Sequence, residues 1–192
     1  MTLVDSRPGI AATFHQLVAL TGVFIDVDLV VTRLGPPLEY ELGHWYPAAA
    51  VPAAASRYRA LYPDHAIAPS PALPGAAEAF AAVRAAGGRI VVVTAKKAEL
   101  AELHLRHLDL VPDEVRGLAW ADGKAEALRA TGAVVYVGDH VADMAAARAA
   151  GVRAVGVTTG PCGAEELIGA GADVVLPDLL GLPRTLQWGV AS

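Results

Sequence analysis

Val23-Phe24-Ile25-Asp26-Val27-Asp28 and Val134-Val135-Tyr136-Val137-Gly138-Asp139 are two short apolar runs that each end in carboxylates. A run of this kind reads as a buried parallel strand whose C-terminal end carries chemistry. Asp143 follows the second run by one helical turn. Two such strand ends side by side concentrate negative charge, which is costly unless a cation offsets it. Oxygen-only donors favour a hard cation, and the expectation is Mg²⁺ at the top of an α/β sheet.

Outward from these runs, strands and helices alternate. Strands are expected over 23–26, 89–94, 115–119, 133–138, 153–157 and 173–176. Helices are expected over 9–20, 75–86, 97–107, 123–130, 142–150 and 163–170, with a helical tail from Leu179 closing the sheet edge. Pro74 before the second helix and Gly87-Gly88 after it are the usual punctuation of a helix start and stop. The alternation implies a doubly wound, Rossmann-like parallel sheet flanked by helices. Between Gly35 and Leu73 prolines cluster among alanine-rich pieces, and Trp45, Tyr46 and Tyr58 fall there. We read this as a small helical insertion after the first strand. The α/β core then comprises 1–34 and 74–192, and the insertion 35–73.

The chain has 192 residues and is 54% hydrophobic, enough for one domain with a substantial core and a modest insertion. Its net charge of −5, without a basic stripe, argues against nucleic acid as a partner. Cys162 is the single cysteine, so no internal disulfide forms and a reducing compartment is expected. No apolar stretch is long enough to span a bilayer and the N-terminus lacks the pattern of a secretory signal. The expectation is therefore a cytoplasmic protein with no membrane partner.

Four ordered motifs resemble those of the haloacid dehalogenase superfamily, in its phosphoglycolate-phosphatase-like branch. They are Asp26-Val27-Asp28-Leu29-Val30-Val31-Thr32, Ile90-Val91-Val92-Val93-Thr94, Lys124, and Val137-Gly138-Asp139-His140-Val141-Ala142-Asp143, continued by Gly156-Val157-Thr158-Thr159-Gly160. The resemblance implies a phosphomonoesterase acting on a small phosphorylated metabolite through an aspartyl-phosphate. Asp26 is then the nucleophile and Asp28 the acid–base. Thr94 holds a phosphoryl oxygen and Lys124 offsets charge in transfer. Asp26, Asp28, Asp139 and Asp143 form the Mg²⁺ set. Leu29 and Val30 depart from the Gly-Thr usual after the second acid, which implies a differently shaped turn.

Plainer roles stand beside these. Asp26 and Asp28 can be turn-forming acids, Thr94 an N-cap, and Asp143 a partner of its own helix start. Lys96 and Lys97 offer an alternative charge to Lys124, although surface solvation suits them better. The insertion resembles a reduced cap, with Arg33, His44, Trp45, Arg57 and Arg59 as candidate selectors, and His140 beside Asp139 is a further one. His104 and His107 are expected on an ordinary helix face. Partial cover by a homodimer is expected from the short insertion. Two other functions remain: a catalytically quiet Mg²⁺-binding regulatory domain, and a dehalogenase or phosphonatase, against which Asp28 argues.

Overall fold

The computed structural model describes residues 1–186. In chain order the elements are α1 (Arg7–Thr21), α2 (Val27–Thr32), α3 (Leu38–Leu42), α4 (Val51–Ala66), α5 (Ala76–Ala85), β1 (Val91–Val93) and α6 (Ala98–His107). There follow β2 (Glu114–Arg116), α7 (Asp122–Thr131), β3 (Val135–Gly138), α8 (Val141–Ala150), β4 (Arg153–Val157), α9 (Ala164–Ala170), β5 (Val174–Leu176) and α10 (Leu182–Leu186). Every helix and strand expected after Pro74 is present; β1, β3 and β5 are shorter than expected, β2 runs from Glu114 and ends at Arg116, and β4 matches. The tail is helical over α10; the rest of that expectation lies outside the described residues.

The strands form parallel ladders in the orders β1-β2 and β3-β4-β5. Side-chain alternation along β4 builds two apolar layers. Ala154 joins Leu128, Met144 and Leu167 on one face, from α7, α8 and α9. Val155 and Val157 join Ala79, Leu105 and Leu182 on the other, from α5, α6 and α10. The result is an α/β/α sandwich, and the C-terminal ends of β1 and β3 face the same opening.

The first strand departs from the expectation. Val23 to Asp26 is an extended link between α1 and α2 and joins no ladder. Gly22 ends α1 in the left-handed region at φ 68°. Ile25 then turns inward onto Phe14, Tyr58 and Val30, while Phe24 stays 76% exposed. Four apolar residues before an Asp serve equally well as a linker and helix cap; periodicity over so short a run cannot separate the two. α1 and α2 pack with α3 and α4 around Ile10, Phe14, Leu17 and Tyr62. The helical unit thus gathers residues from Arg7 onward, and the boundary expected at 34/35 does not coincide with a break in packing.

A buried polar contact helps join this unit to the sandwich. His104 of α6, expected on an ordinary face, is only 2% exposed. Its Nε2 lies 2.8 Å from the Tyr62 hydroxyl, and Lys96 Nζ donates to the same oxygen at 2.7 Å. The phenol therefore donates to a neutral imidazole. Burial, with Lys96 and His107 nearby, lowers the His104 pKa to about 4. Lys96, expected to be solvated, is a structural partner of Tyr62 instead.

This buried imidazole makes stability pH-dependent. The unfolded chain takes up the proton near its ordinary value of about 6.5, before the folded one does. The contribution is fully present above about pH 6.5 and is lost as pH falls towards 4. Urea unfolding at pH 7.5 and 4.5 should show His104→Gln losing less stability on acidification than the wild type, by on the order of 2–3 kcal/mol. Equal losses would show that the imidazole does not carry the effect.

Candidate active site

β3 delivers Asp139 at its C-terminal end, and α8 starts two residues later. His140 caps that helix: its Nδ1 accepts the Ala142 N–H at 3.0 Å. Asp143, in the first turn, closes back on the strand end. Its Oδ2 accepts the backbone N–H of Asp139 at 3.2 Å and of His140 at 3.1 Å. Its Oδ1 accepts the Lys124 ammonium and the Tyr136 hydroxyl, the latter at 3.1 Å. Burial, then the adjacent Asp143, pushes the Tyr136 phenol well above its ordinary range, so it remains a donor.

Lys124, Asp139 and Asp143 are all buried. Lys124 stands in the first turn of α7, with its ammonium 5.4 Å from the centre of the Trp120 ring. The preceding loop holds two non-glycine residues at positive φ, Leu118 at 56° and Ala121 at 46°. Such backbone is costly and persists where surrounding structure fixes it. Two glycines are dictated by the carboxylates. A Cβ on Gly138 would overlap the Asp143 carboxyl, and one on Gly160 would overlap that of Asp139.

Asp139 is engaged by the N-terminal segment. Its carboxylate accepts the Met1 ammonium and, at 2.6 Å, the Thr2 hydroxyl. Thr159 Oγ1 holds the Met1 carbonyl at 2.8 Å. Across the opening, Thr94 ends β1. Its N–H bonds the Arg116 carbonyl at 2.9 Å, and its Oγ1 accepts the Lys96 N–H at 3.2 Å, leaving its hydroxyl proton free to donate. Thr94, Lys124, Asp139 and Asp143 line one cleft.

Asp26 and Asp28 are not part of it. Asp26 is the N-cap of α2, its Oδ1 accepting the Leu29 N–H at 3.0 Å. Asp28 is an exposed residue of the first turn. Neither lines the cleft. Their expected roles as nucleophile, acid–base and metal ligands are corrected accordingly: the chemistry that selects Asp at a helix start also yields an Asp-x-Asp pattern. Leu29 and Val30 are likewise helix residues rather than a turn beside the site.

The four-carboxylate Mg²⁺ set therefore does not assemble, and among the described residues no three metal-ligating side chains gather. Asp143 has both oxygens committed to donors and orients Lys124 rather than a metal. Asp139 is a buried carboxylate at the strand end, costly unless a cation offsets it. A hard cation there needs further oxygen donors from water or phosphate.

The cap candidates are mostly structural. Arg33 makes two bonds of 2.8 Å to Glu41, which also accepts Trp45 Nε1 at 2.8 Å. Arg59 pairs with Glu39 at 2.7 Å, Arg57 faces solvent, and His44 meets Tyr40 edge-on. Arg33, His44, His140 and Cys162 nevertheless line a pocket of about 360 Å³ where cap and sandwich meet. Burial raises the Cys162 thiol, which suits a packing role over a nucleophilic one. Thr2, Trp120, Tyr136 and Gly160 shape the site without having been singled out. Gly160 had a signal through its place in the fourth motif's continuation, and Tyr136 through the apolar run before Asp139.

The haloacid dehalogenase-like hydrolase family model matches residues 1–148, and a second, HAD-hydrolase-like, matches 120–182. The chain belongs to the haloacid dehalogenase-like hydrolase family. As a member it is a hydrolase. It is 29% identical to the phosphoglycolate phosphatase of Caulobacter vibrioides, over 95% of this chain and 86% of that one. A haloacid dehalogenase-like hydrolase from Streptococcus pneumoniae superimposes with a TM-score of 0.82 at 23% identity, covering 97% of this chain and 94% of that one. A family member from Deinococcus radiodurans R1, solved with bound phosphate and sodium, gives 0.66 at 23% identity over 97% and 91%. Among the described residues no helix is long and apolar enough to cross a membrane.

Two substitutions separate cap from site. Asp26→Ala should cost about 1 kcal/mol, the loss of an N-cap, whereas Asp26→Asn should be nearly neutral. Lys124→Met leaves Asp143 buried without its cation and should cost about 3–5 kcal/mol in urea unfolding. A Lys124→Met protein as stable as wild type would show that the pair does not hold α7 to α8.

Proposed function

We propose that the protein is a Mg²⁺-dependent phosphomonoesterase for a small phosphorylated metabolite of the phosphoglycolate type. The observation that carries this reading is the meeting of Thr94, Lys124 and Asp139 around one cleft at the strand ends. The name of the Caulobacter relative and the phosphate bound by the Deinococcus protein support it.

In this reading the Thr94 hydroxyl and the N–H that follows it hold a phosphoryl oxygen. Lys124, aimed by Asp143, offsets the negative charge that spreads over the transferring group. Asp139 would hold Mg²⁺, which would supply positive charge to offset that of the phosphate. The junction pocket beside His140 receives the organic part of the substrate, and the helical unit over it excludes water. Asp26 caps α2 and does not line this cleft. Asp28 lies outside the cleft, so it no longer speaks against carbon–halogen or carbon–phosphorus cleavage; the relatives do.

A second reading, a quiet Mg²⁺-binding domain, is favoured by the displacement of Asp26 and Asp28. Phosphate release from 2-phosphoglycolate, sugar phosphates, nucleotides and an aryl phosphate separates the two in protein isolated from its native cells. Release that needs Mg²⁺, falls at least about 100-fold in Asp139→Asn and Lys124→Met, and survives in Asp26→Asn is the expected result. Mg²⁺ binding without turnover of any compound would favour the quiet domain.

A further inference from the structure

We propose that Trp120 is a specificity-determining residue: its indole, set against Gly35 of the cap, narrows the path between the phosphate-gripping residues and the junction pocket, leaving room for a slim, unbranched organic group. Resting on the proposed function, the group carried on the phosphate is then small rather than a sugar ring or nucleoside. The phosphate end of the path is Thr94, Lys124 and Asp139, which line the large cleft. The other end is the junction pocket of Arg33, His44 and Cys162. The two openings share Leu34, Pro36 and His140, so an ester that occupies both passes there. Trp120 stands at that crossing. Lys124 Nζ lies 5.4 Å from its ring centre, and the His140 ring lies 5.5 Å away, tilted by 58°. On the cap side Gly35 has φ 149°, and a Cβ there would stand 3.2 Å from His140 Cδ2 and 3.4 Å from Trp120 Cη2. The cap backbone thus approaches both rings as closely as a residue without a side chain allows.

The backbone around Trp120 is strained, and the strain fixes the indole. Leu118 and Ala121 bracket it at φ 56° and 46°, where side-chain-bearing residues are costly. The Leu118 side chain is 66% exposed, so its own burial does not select that conformation. The loop is instead pinned on both sides. Before Trp120, the Leu118 N–H bonds the Lys96 carbonyl at 2.8 Å and the Ala119 N–H bonds the Thr94 carbonyl at 2.9 Å. After it, the Gly123 and Lys124 N–H groups bond the Trp120 and Ala121 carbonyls, each at 3.0 Å. A Cβ on Gly117 would overlap the Lys96 carbonyl oxygen and the Ala98 nitrogen, so the segment lies directly on the turn that presents Thr94. Strained backbone persists where its surroundings over-determine it, and it clusters at ligand clamps. What is fixed here is one indole relative to Thr94 and Lys124. A rigid wall discriminates by clash, which rejects branched or cyclic groups. An indole that only shields Lys124 would give no dependence on the size of the ester.

Titration calorimetry in Mg²⁺ buffer, with inorganic phosphate, 2-phosphoglycolate and phenyl phosphate as probes, reads the wall without needing turnover. Each ester's Kd is taken relative to that of inorganic phosphate in the same variant. The wild type should favour 2-phosphoglycolate over phenyl phosphate by at least about 10-fold, and Trp120→Ala should reduce that preference at least about 10-fold. Trp120→Phe, which keeps a ring beside Lys124 and His140, should hold the preference within about 3-fold of wild type. Gly35→Ala, pressing on the same gap from the cap, should weaken 2-phosphoglycolate at least about 3-fold, and it decides the matter if Trp120→Ala does not fold. An unchanged preference in Trp120→Ala, an equal loss in Trp120→Phe, or an unaltered Gly35→Ala would overturn the proposal. The expected binding order with no hydrolysis of either ester would sink the functional reading and leave the wall standing. Hydrolysis with a preference indifferent to Trp120 would do the reverse. No binding of phosphate or of either ester would overturn both.

Discussion

The buried pair of Lys124 and Asp143 is the constraint on which the site depends. Asp143 takes two backbone donors from the β3–α8 turn on one oxygen, and the Lys124 ammonium and Tyr136 hydroxyl on the other. One carboxylate thereby fixes the strand end, the helix start and the cation presented by α7. A buried ion pair adds little net stability over an apolar contact, but breaking it is expensive. Its value here is positional: it orients Asp139 and holds a charge at the opening without flexibility. Gly138 and Gly160 exist to let these two carboxylates approach the backbone so closely.

The helical unit is held over this opening by apolar packing and by one polar junction. Lys96 follows Thr94 by two residues, and its ammonium reaches across to Tyr62 of α4, which in turn bonds His104 of α6. The turn that presents Thr94 is thus tied to the cap through a shared hydroxyl. On the other side the loop at Gly35 lies against His140 and Trp120, where a Cβ on Gly35 would stand 3.2 Å from the imidazole. Both ends of the cap therefore contact residues adjacent to the functional side chains.

The sheet was legible after Pro74 because each strand there lies between two helices with clear stops, as at Gly132, Gly151 and Gly171. Lys124, Asp139 and Asp143 could be read because their spacing matches one strand and two helix starts. The first motif misled for a definite reason. An Asp that caps a helix and an Asp that ends a strand occupy the same sequence context, an apolar run followed by a polar residue. Only the neighbours decide, and here they are Phe14, Tyr58 and Val30 of the helical unit.

The sequence by itself determined the alternation of strands and helices after Pro74 and the acidic turn at Asp139, because those are local patterns of burial, capping and charge. Tertiary structure decided what no local pattern carries. It placed Asp26 and Asp28 in a helix start, buried His104 against Tyr62, and gathered α1 into the cap. It also left β1 and β3 facing one another across an apolar cleft. Each depends on which distant surface an apolar side chain meets, and that is set by packing between elements far apart in the chain.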